Sequence, residues 1–460
     1  MSQPKKNPPN RISSALLADG RLVEQLYDPA NHKTKFAVWD GVSVKIVDEV
    51  QSPSGLLLPY LPDNPILKSS IVLFPSEPLE YGETKDLVAD IRRYIHAYVD
   101  LSDSFELLVA HYVLFTWVYD RFNELPYVRL QGAYGTGKTR FLLVVGSICR
   151  MPIFVGGAST TSPLFHMLDE FGGTLLIDEA DFRFTDETAQ IAKILNNGNA
   201  RGFPVLRSET VNGKDYRPRP FQVFSPKLVA MRGEFDDAAL ESRFITERSD
   251  GRKLRADIPI NLPATQQADA LQLRNKLLMF RFRRFAHVGE ISAVVDSALD
   301  PRTNQIFAPL LSIMEDEEAR GALRMAARER QQFTDADRGA SSESGVLSAL
   351  LYLLQRSEAA SIPLADIADL YSRAHAGELS FPVTSKWIGG ILRKAFGLHT
   401  RKSSGGMYVV PASKPDRLSV LRARYRIEDD DLARYAEVDV ADVLTRVIPI
   451  DPYDGGTPRP

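Results

Sequence analysis

The sequence predicts an α/β protein whose centre is a parallel β-sheet. Between residues 126 and 250, short apolar runs alternate with longer segments of helical periodicity. A glycine-rich loop joins one of these runs to an apolar helix, and another run, TLLID, ends in an aspartate. Because strands that alternate with helices need crossover connections, this order is typical of parallel sheets with right-handed crossovers.

Length and composition bound the class of protein. A chain of 460 residues predicts about three domains. The hydrophobic content of 44% suits folded domains with apolar cores, and the formal net charge of -3 means that any nucleic-acid-binding surface must be local. The lone cysteine, Cys149, cannot form an internal disulfide. We expect it to be a small buried residue in the helix after the glycine-rich loop.

The longest apolar run, residues 107–119, is shorter than a membrane span requires and contains His111. The N-terminus also lacks the apolar centre of a signal peptide. We therefore expect no membrane association and a cytoplasmic location.

Residues 1–85 are predicted to form a small β-rich region. Residues 1–30 are polar and rich in proline and asparagine at first, which predicts partial disorder. Apolar and polar residues then alternate around Asp40-Gly41, a pair that favours a tight hairpin turn.

Residues 86–255 are predicted to form the α/β core together with the helices that precede it. Two helices fall between residues 86 and 122, and the second is apolar on nearly all sides, which predicts that it is buried. The predicted strands are 127–131, 153–155, 174–178 and 227–231. The predicted helices begin at Lys138, at Ser162 as the cap with Pro163 in the first helical position, and at residue 186.

The remainder of the chain is predicted to be mostly helical. Residues 256–335 read as an arginine-rich helical lid, and a loop at 334–344 separates them from a domain at 343–412. Three helices (346–354, 364–373 and 385–396, the last capped by Ser385) followed by a two-stranded ribbon are the winged-helix pattern. Residues 413–460 are predicted to form a loose tail with an acidic stretch.

The glycine-rich loop has the spacing of a phosphate-binding loop. Its glycines let backbone N–H groups turn toward phosphate oxygens, and the dipole of the following helix favours an anion. The ε-ammonium of Lys138 would reach the β- and γ-phosphates of ATP, and the hydroxyl of Thr139 would bind Mg²⁺. The predicted nucleotide-binding residues are Gly132, Gly135, Thr136, Gly137, Lys138 and Thr139.

Three further residues are candidates for the chemistry of hydrolysis. Asp178 lies at the end of a predicted buried strand, where a carboxylate would hold Mg²⁺, and Glu179 beside it would polarise the attacking water. The alternative is a coincidental acidic turn. Arg243, in ALESRFI, is predicted to stabilise γ-phosphate charge, often from a neighbouring subunit. Its alternative is a surface arginine in a local salt bridge.

The order of these motifs resembles AAA+ and superfamily 3 helicase ATPases. More narrowly, GAYGTGKT, LLIDEAD, ILNNGNARGFPVLR, FSPKLVAMRG and ALESRFI resemble a P-loop family found in phage- and plasmid-borne primase–helicase proteins. The resemblance covers about 165 residues and implies ATP-driven work on DNA in replication of a mobile element. If Arg243 acts on a neighbouring subunit, the protein must form a ring or another head-to-tail oligomer. The sensor position of such ATPases falls near Met231 and Arg232, where the usual asparagine or threonine is missing. No primase motif is visible, so a primase would be a separate partner.

Two segments are candidates for contact with single-stranded or duplex DNA. Asn212-Gly213 predicts a hairpin turn between the acidic strand and the next core strand, with Lys214 at its tip and Arg217 beside it. The alternative is an exposed hairpin with ordinary solvated charges. The third helix and wing of the winged-helix segment have five cations and no acid, although the same fold often mediates protein contacts. These cations are Lys386, Arg393, Lys394, Arg401 and Lys402.

The cluster MFRFRRF, residues 279–285, alternates aromatic and basic side chains. It either stacks single-stranded bases or forms a lid helix in which Arg281, Arg283 or Arg284 senses nucleotide.

Three functions remain open on the sequence. The first is a helicase-type motor on DNA. The second is an ATP-dependent DNA-binding switch without unwinding. The third is an ATPase subunit that remodels a partner protein in defence or transposition.

Overall fold

A computed structural model of the chain describes most of its length. The described residues are 10–53, 55–156, 161–178, 186–211, 215–235, 237–249, 255–339, 341–356, 361–376, 382–402, 408–411 and 415–438. The chain divides into two compact units, residues 1–328 and residues 329–460. The predicted boundaries near residues 85 and 255 fall inside the first unit.

The strands are short, and most of them lie in the first unit. They are β1 (Asn10–Arg11), β2 (Ser14–Leu16), β3 (Leu22–Asp28), β4 (Lys33–Trp39), β5 (Val44–Val47), β6 (Val50–Ser52), β7 (Gly55–Leu58), β8 (Tyr127–Gly132), β9 (Ile153–Val155), β10 (Leu175–Ile177), β11 (Val205–Val211), β12 (Asp215–Phe221), β13 (Lys227–Met231), β14 (Phe244–Ser249), β15 (Ser361–Pro363), β16 (Arg401–Lys402) and β17 (Tyr408–Pro411).

The helices surround the sheets of both units. They are α1 (Pro65–Lys68), α2 (Thr84–Tyr98), α3 (Asp103–Thr116), α4 (Lys138–Gly146), α5 (Thr161–Phe171), α6 (Asp186–Asn197), α7 (Ala238–Glu241), α8 (Thr265–Arg284), α9 (Pro301–Ile313), α10 (Glu317–Gly339), α11 (Ser342–Arg356), α12 (Leu364–Ala374), α13 (Ser385–Lys394), α14 (Pro415–Arg424) and α15 (Asp429–Val438), with short 3-10 helices at Tyr119–Arg121, Phe285–His287 and Ser292–Val294. None of the helices within the described ranges has the length and apolar character that a membrane crossing requires.

The N-terminal region contains two sheets, with strand orders β2-β3-β4-β5 and β1-β7-β6. The predicted hairpin at Asp40-Gly41 joins β4 to β5, and the Asp40 carboxylate accepts hydrogen bonds from the backbone N–H groups of Val42 and Ser43. The prediction of disorder up to residue 30 is wrong for residues 10–30, because β1, β2 and β3 pair with other strands there. Residues 1–9 lie outside the described residues.

The central sheet has the order β14-β8-β13-β10-β9, and all of its pairings are parallel. The predicted α/β class with a parallel sheet is therefore confirmed. Alternate residues of β13 face opposite sides. Leu228 and Ala230 pack with α2, α3, α4, α8 and α9, whereas Val229 and Met231 pack with α5 and α6. Helices thus cover both faces of the sheet, and the carboxyl ends of its strands lie along one edge.

Two sequence predictions inside this core need correction. Helix α5 begins at Thr161, so Ser162 and Pro163 lie in its first turn and Ser162 is not the cap. Cys149 is buried as expected, and burial raises the pKa of its thiol, but α4 ends at Gly146 and the cysteine lies after the helix.

A buried ion-pair network connects the N-terminal sheet to the core. Glu24 of β3 accepts hydrogen bonds from Arg150 at 3.0 Å and from Arg281 of α8 at 2.6 Å, and these three side chains are at most 4% exposed. Arg281 also donates two bonds of 2.7 Å to the carboxylate of Asp120. Each buried charge thus has an opposite partner, which a buried ion requires.

The second unit contains helices α11, α12 and α13 and a three-stranded sheet of order β15-β17-β16. The predicted third helix is capped by the side chain of Thr384, which accepts from the backbone N–H of Trp387, and not by Ser385. Helix α10 continues to Gly339, through half of the predicted loop at 334–344. Part of the predicted loose tail is helical, because α14 and α15 occupy residues 415–424 and 429–438. Residues 439–460 lie outside the described residues.

Candidate active site

The glycine-rich loop lies between β8 and α4, at the carboxyl edge of the central sheet. Gly135 and Gly137 have φ angles of +77° and +83°, a conformation that side chains with a Cβ rarely adopt. A Cβ on Gly132 would lie 2.8 Å from the hydroxyl of Thr136 and 3.0 Å from Ser249. Glycine is therefore required at these positions by conformation or by space, and Gly137 directly precedes the first turn of α4.

The ammonium of Lys138 folds back over this loop. Its Nζ donates hydrogen bonds to the carbonyl oxygens of Gly132 at 2.8 Å and Ala133 at 2.5 Å. The side chain of Thr136 also bonds the Ala133 carbonyl, at 2.9 Å. A positive charge thus lies beside the backbone of the loop, at the N-terminus of a helix, where both the charge and the dipole attract an anion.

Thr139 and Asp178, which are 39 residues apart in the sequence, meet at this edge. The Thr139 hydroxyl donates a hydrogen bond of 2.8 Å to Oδ2 of Asp178. Asp178 directly follows β10, and its backbone N–H is fixed by the carbonyl of Val155 on the neighbouring strand. The pair forms because β8 and β10 both end at the same edge, on either side of β13.

The residues at this edge fit a nucleotide with Mg²⁺. The backbone at Gly135 and Gly137 leaves open space where other residues would have a Cβ, which suits the close approach of phosphate oxygens. A hydroxyl and a carboxylate within 2.8 Å of each other supply the oxygen ligands that Mg²⁺ prefers. The predicted base, Glu179, lies outside the described residues.

The sequence did not predict that two residues next to the loop, Arg232 and Ser249, contact it. The guanidinium of Arg232, which follows β13, lies 3.6 Å from the ring centroid of Tyr134, an exposed loop residue. Ser249, the last residue of β14, faces the backbone of Thr136. Arg232 lies at the sensor position that the resemblance implies. The strand order places that position beside the loop, because β13 is the direct neighbour of β8.

Arg243 lies at the opposite edge of the sheet from the loop. It precedes β14, whose first residue pairs with Tyr127 and whose last pairs with Gly132. Six residues of strand at about 3.3 Å each separate Arg243 from the loop by roughly 20 Å. Its guanidinium is half-buried and donates to the side-chain oxygen of Asn196, and burial lowers its pKa from the ordinary value. Within one chain, Arg243 therefore does not belong to the phosphate site.

The predicted hairpin forms between β11 and β12, paired from Val205 and Phe221 to Val211 and Asp215. Arg219 pairs with Asp169 at 3.1 Å and with Glu209, so it is bound within the unit. Arg217 is exposed on β12. The turn residues, including Asn212, Gly213 and Lys214, lie outside the described residues.

Stacking of bases on residues 279–285 is contradicted by the structure. Phe280 and Phe282 are buried because α8 packs in the core cluster that covers one face of the central sheet. The three arginines bind carboxylates of this chain: Arg281 binds Glu24 and Asp120, Arg283 binds Glu80, and Arg284 binds Glu315. None of them is therefore positioned to sense nucleotide in this conformation.

In the second unit, the five predicted basic residues are exposed. Lys386, Arg393 and Lys394 lie on α13, and Arg401 and Lys402 form β16. The guanidinium of Arg393 donates to the hydroxyl of Thr400 at 2.8 Å, which links the helix to the segment before β16. The predicted wing tip, residues 403–406, lies outside the described residues.

Comparisons with known proteins give weak similarities. No family model and no curated protein matches the sequence. Among solved structures, the C-terminal region of NrS-1 aligns with 85% of this chain and 96% of its own at 12% identity and a TM-score of 0.34. JCV helicase aligns with 53% of this chain and 66% of its own at 14% identity and a TM-score of 0.24. These identities and scores are too low to assign a function to the chain.

Proposed function

We propose that the chain is an ATP-hydrolysing DNA motor of the helicase type. The observation that supports this most directly is the 2.8 Å hydrogen bond between Thr139 and Asp178, next to the loop on which Lys138 rests. A phosphate loop, a hydroxyl and a strand-end carboxylate at one sheet edge are the parts that phosphoryl-transfer sites share.

The roles of the residues follow from their chemistry. Backbone N–H groups from Gly132 to Gly137 and the ammonium of Lys138 would hold the β- and γ-phosphates. Thr139 and Asp178 would hold Mg²⁺, which when bound neutralises charge that develops on the phosphates. Glu179 would accept a proton from the attacking water.

Arg243 is proposed as a finger that acts on the site of a neighbouring subunit. It lies at the sheet edge opposite the loop, so contact with a phosphate requires a second copy in a head-to-tail arrangement. A ring is the closed form of such an arrangement. This oligomeric state is part of the proposal, as is the winged-helix character of the second unit with its exposed cations.

Action on DNA, as part of replication of a phage or plasmid, is proposed from the motif resemblance and from the exposed basic side chains of α13 and β16. Arg217 of the hairpin and Lys214 at its turn are proposed as further contacts. A separate primase is the expected replication partner.

The test is steady-state ATP hydrolysis without DNA, with single-stranded DNA and with duplex DNA, using Glu179→Gln as the inactive control. Strong stimulation by single strands, lost in Glu179→Gln, is the result expected for a motor. Stimulation by duplex alone would favour a DNA-binding switch. Hydrolysis that is indifferent to every DNA would exclude the motor and favour remodelling of a protein partner.

A further inference from the structure

A cleft with a volume of about 500 Å³ lies in the N-terminal region of the first unit. One side of the cleft is β4 of the four-stranded sheet. The other side consists of β1 and β7 of the smaller sheet and of residues 59–62, which follow β7. The glycine-rich loop and the carboxyl edge of the central sheet do not contribute to its lining. No residue of the cleft has been given a role above.

The lining of this cleft is basic. Arg11, Lys33 and Lys35 contribute three positive charges, and His32 lies beside them. The one carboxylate in the described lining, Asp48, is 3.6 Å from the ammonium of Lys35 and is itself 82% exposed. The cleft therefore keeps an excess of two positive charges in a protein whose formal net charge is -3.

The other two cations are not neutralised by carboxylates of the cleft. Arg11 donates to the carbonyl oxygen of Pro59 at 2.5 Å, which is an uncharged acceptor. Asp28 lies opposite Lys33 in the β3–β4 ladder, but its two oxygens accept hydrogen bonds from Ala30 and Asn31 in the adjoining turn. Asp28 is thus bonded within its turn, and its charge acts on the Lys33 ammonium from outside the lining of the cleft.

The shape of the cleft suits a polymer more than a small ligand. A small-molecule site buries most of its ligand, whereas here Lys33 and Lys35 are exposed and Leu61 is 53% exposed. Lys33 and Lys35 are two residues apart on one strand, so their side chains leave the same face about 6.6 Å apart. A groove lined by repeated cations is the part of a single-strand-binding site that follows the phosphate backbone.

We propose that this cleft binds the phosphate backbone of single-stranded DNA through Lys33, Lys35 and Arg11, as a contact separate from the hairpin and from the second unit. The proposal rests on the proposed action on DNA. The volume of the cleft accommodates about one or two nucleotides and is too small for a duplex. Single strands are therefore the form of nucleic acid that enters the cleft.

The test measures the affinity of the full chain for a labelled single-stranded oligonucleotide over a series of salt concentrations. Each phosphate contact adds about 0.7 to the slope of log affinity against log salt for single strands. The Lys33→Gln/Lys35→Gln variant should lower that slope by about 1.4, whereas Lys45→Gln/Lys68→Gln, which removes the same charge from exposed positions outside the cleft, should leave it unchanged. Asp48→Asn should tighten binding.

The basal ATP hydrolysis of all variants should match the parent chain, because none of these residues contacts the phosphate site. An unchanged slope in Lys33→Gln/Lys35→Gln, an equal loss in the control pair, or an effect confined to duplex DNA would overturn the cleft proposal. Hydrolysis stimulated by single strands together with an unchanged slope would leave the motor standing without the cleft. A lowered slope without any stimulation of hydrolysis would support the cleft as a DNA contact and contradict the motor.

Discussion

Lys138 donates hydrogen bonds to two carbonyl oxygens of its own loop. Its ammonium bridges Gly132 and Ala133 at the point where the backbone turns. A phosphate would offer the same ammonium a charged acceptor, and hydrogen bonds to charged partners are the stronger ones. We therefore propose that Lys138 exchanges these carbonyl oxygens for phosphate oxygens when a nucleotide binds.

Replacement of Lys138 by alanine should therefore abolish ATP binding. The variant loses the charge that attracts the β- and γ-phosphates, while the positive φ angles of Gly135 and Gly137 keep the loop backbone. The measurement is ATP affinity by calorimetry or by a fluorescent analogue.

Lys85→Ala is the matched control for this prediction, because it removes an exposed lysine from α2. Nucleotide affinity close to that of the parent chain in Lys138→Ala would rule out the proposed role of this lysine.

At the residue scale, motifs with local meaning could be predicted from the sequence. The glycine spacing predicted the loop, and the run TLLID predicted the strand that carries Asp178. The partner of each arginine could not be predicted, because ion pairs such as Arg281 with Glu24 join residues 257 positions apart. A basic and aromatic pattern looks the same whether it contacts DNA or a buried carboxylate.

At the scale of elements, the network of Glu24, Arg150 and Arg281 connects β3, the segment after α4 and helix α8. Glu24→Gln should lower the free energy of unfolding by about 3 kcal/mol, because the buried guanidinium of Arg150 loses the carboxylate with which it pairs and Arg281 keeps only that of Asp120. The measurement is denaturant unfolding of the full chain, with Asp19→Asn as an exposed carboxylate control that should leave stability unchanged.

Asp120, in the same network, predicts a dependence of stability on acid. Burial alone would raise the pKa of its carboxyl, but the charge and hydrogen bonds of Arg281 outweigh burial and lower the pKa below its ordinary value of 3.8. The stabilisation is thus present above the unfolded pKa and is lost as the pH falls through the lower folded value. Unfolding measured from neutral pH to below about pH 4 should show a smaller acid-induced loss in Asp120→Asn than in the parent chain.

Most elements of the central sheet could be predicted, since their apolar runs are short, separate and flanked by helices. The order of these strands in the sheet could not be predicted. The sequence places β13 last among the four predicted strands, yet it lies between β8 and β10. That insertion sets the spacing between the loop and Asp178 and brings Arg232 to Tyr134. The strands of residues 10–30 were missed because the segment begins with polar, proline-rich residues, which are typical of disorder. β1 pairs with the distant strand β7, whereas β2 and β3 each pair with the strand that follows in the sequence.

For the whole molecule, the position of Arg243 distinguishes an assembly in which neighbouring subunits share an active site from one in which they do not. If it acts on a neighbouring subunit, Arg243→Ala should bind ATP normally and lose about a thousandfold in turnover. A mixture of Arg243→Ala with Lys138→Ala should recover part of the activity, because some interfaces then pair an intact loop with an intact arginine.

Arg21→Ala, which removes a partly exposed arginine paired with Asp19, is the control for this experiment and should keep full turnover. Mixed variants with no more activity than the sum of the separate proteins would argue against a shared site.

Thr139 and Asp178 are proposed to form the metal pair of an ATP-hydrolysing site. The most direct test is ATP hydrolysis measured against Mg²⁺ concentration for the parent chain, Thr139→Ser and Thr139→Ala. Thr139→Ser keeps the hydroxyl and should resemble the parent, whereas Thr139→Ala should need more Mg²⁺ and turn over at least about tenfold more slowly. Equal Mg²⁺ dependence and equal turnover in all three proteins would contradict the account.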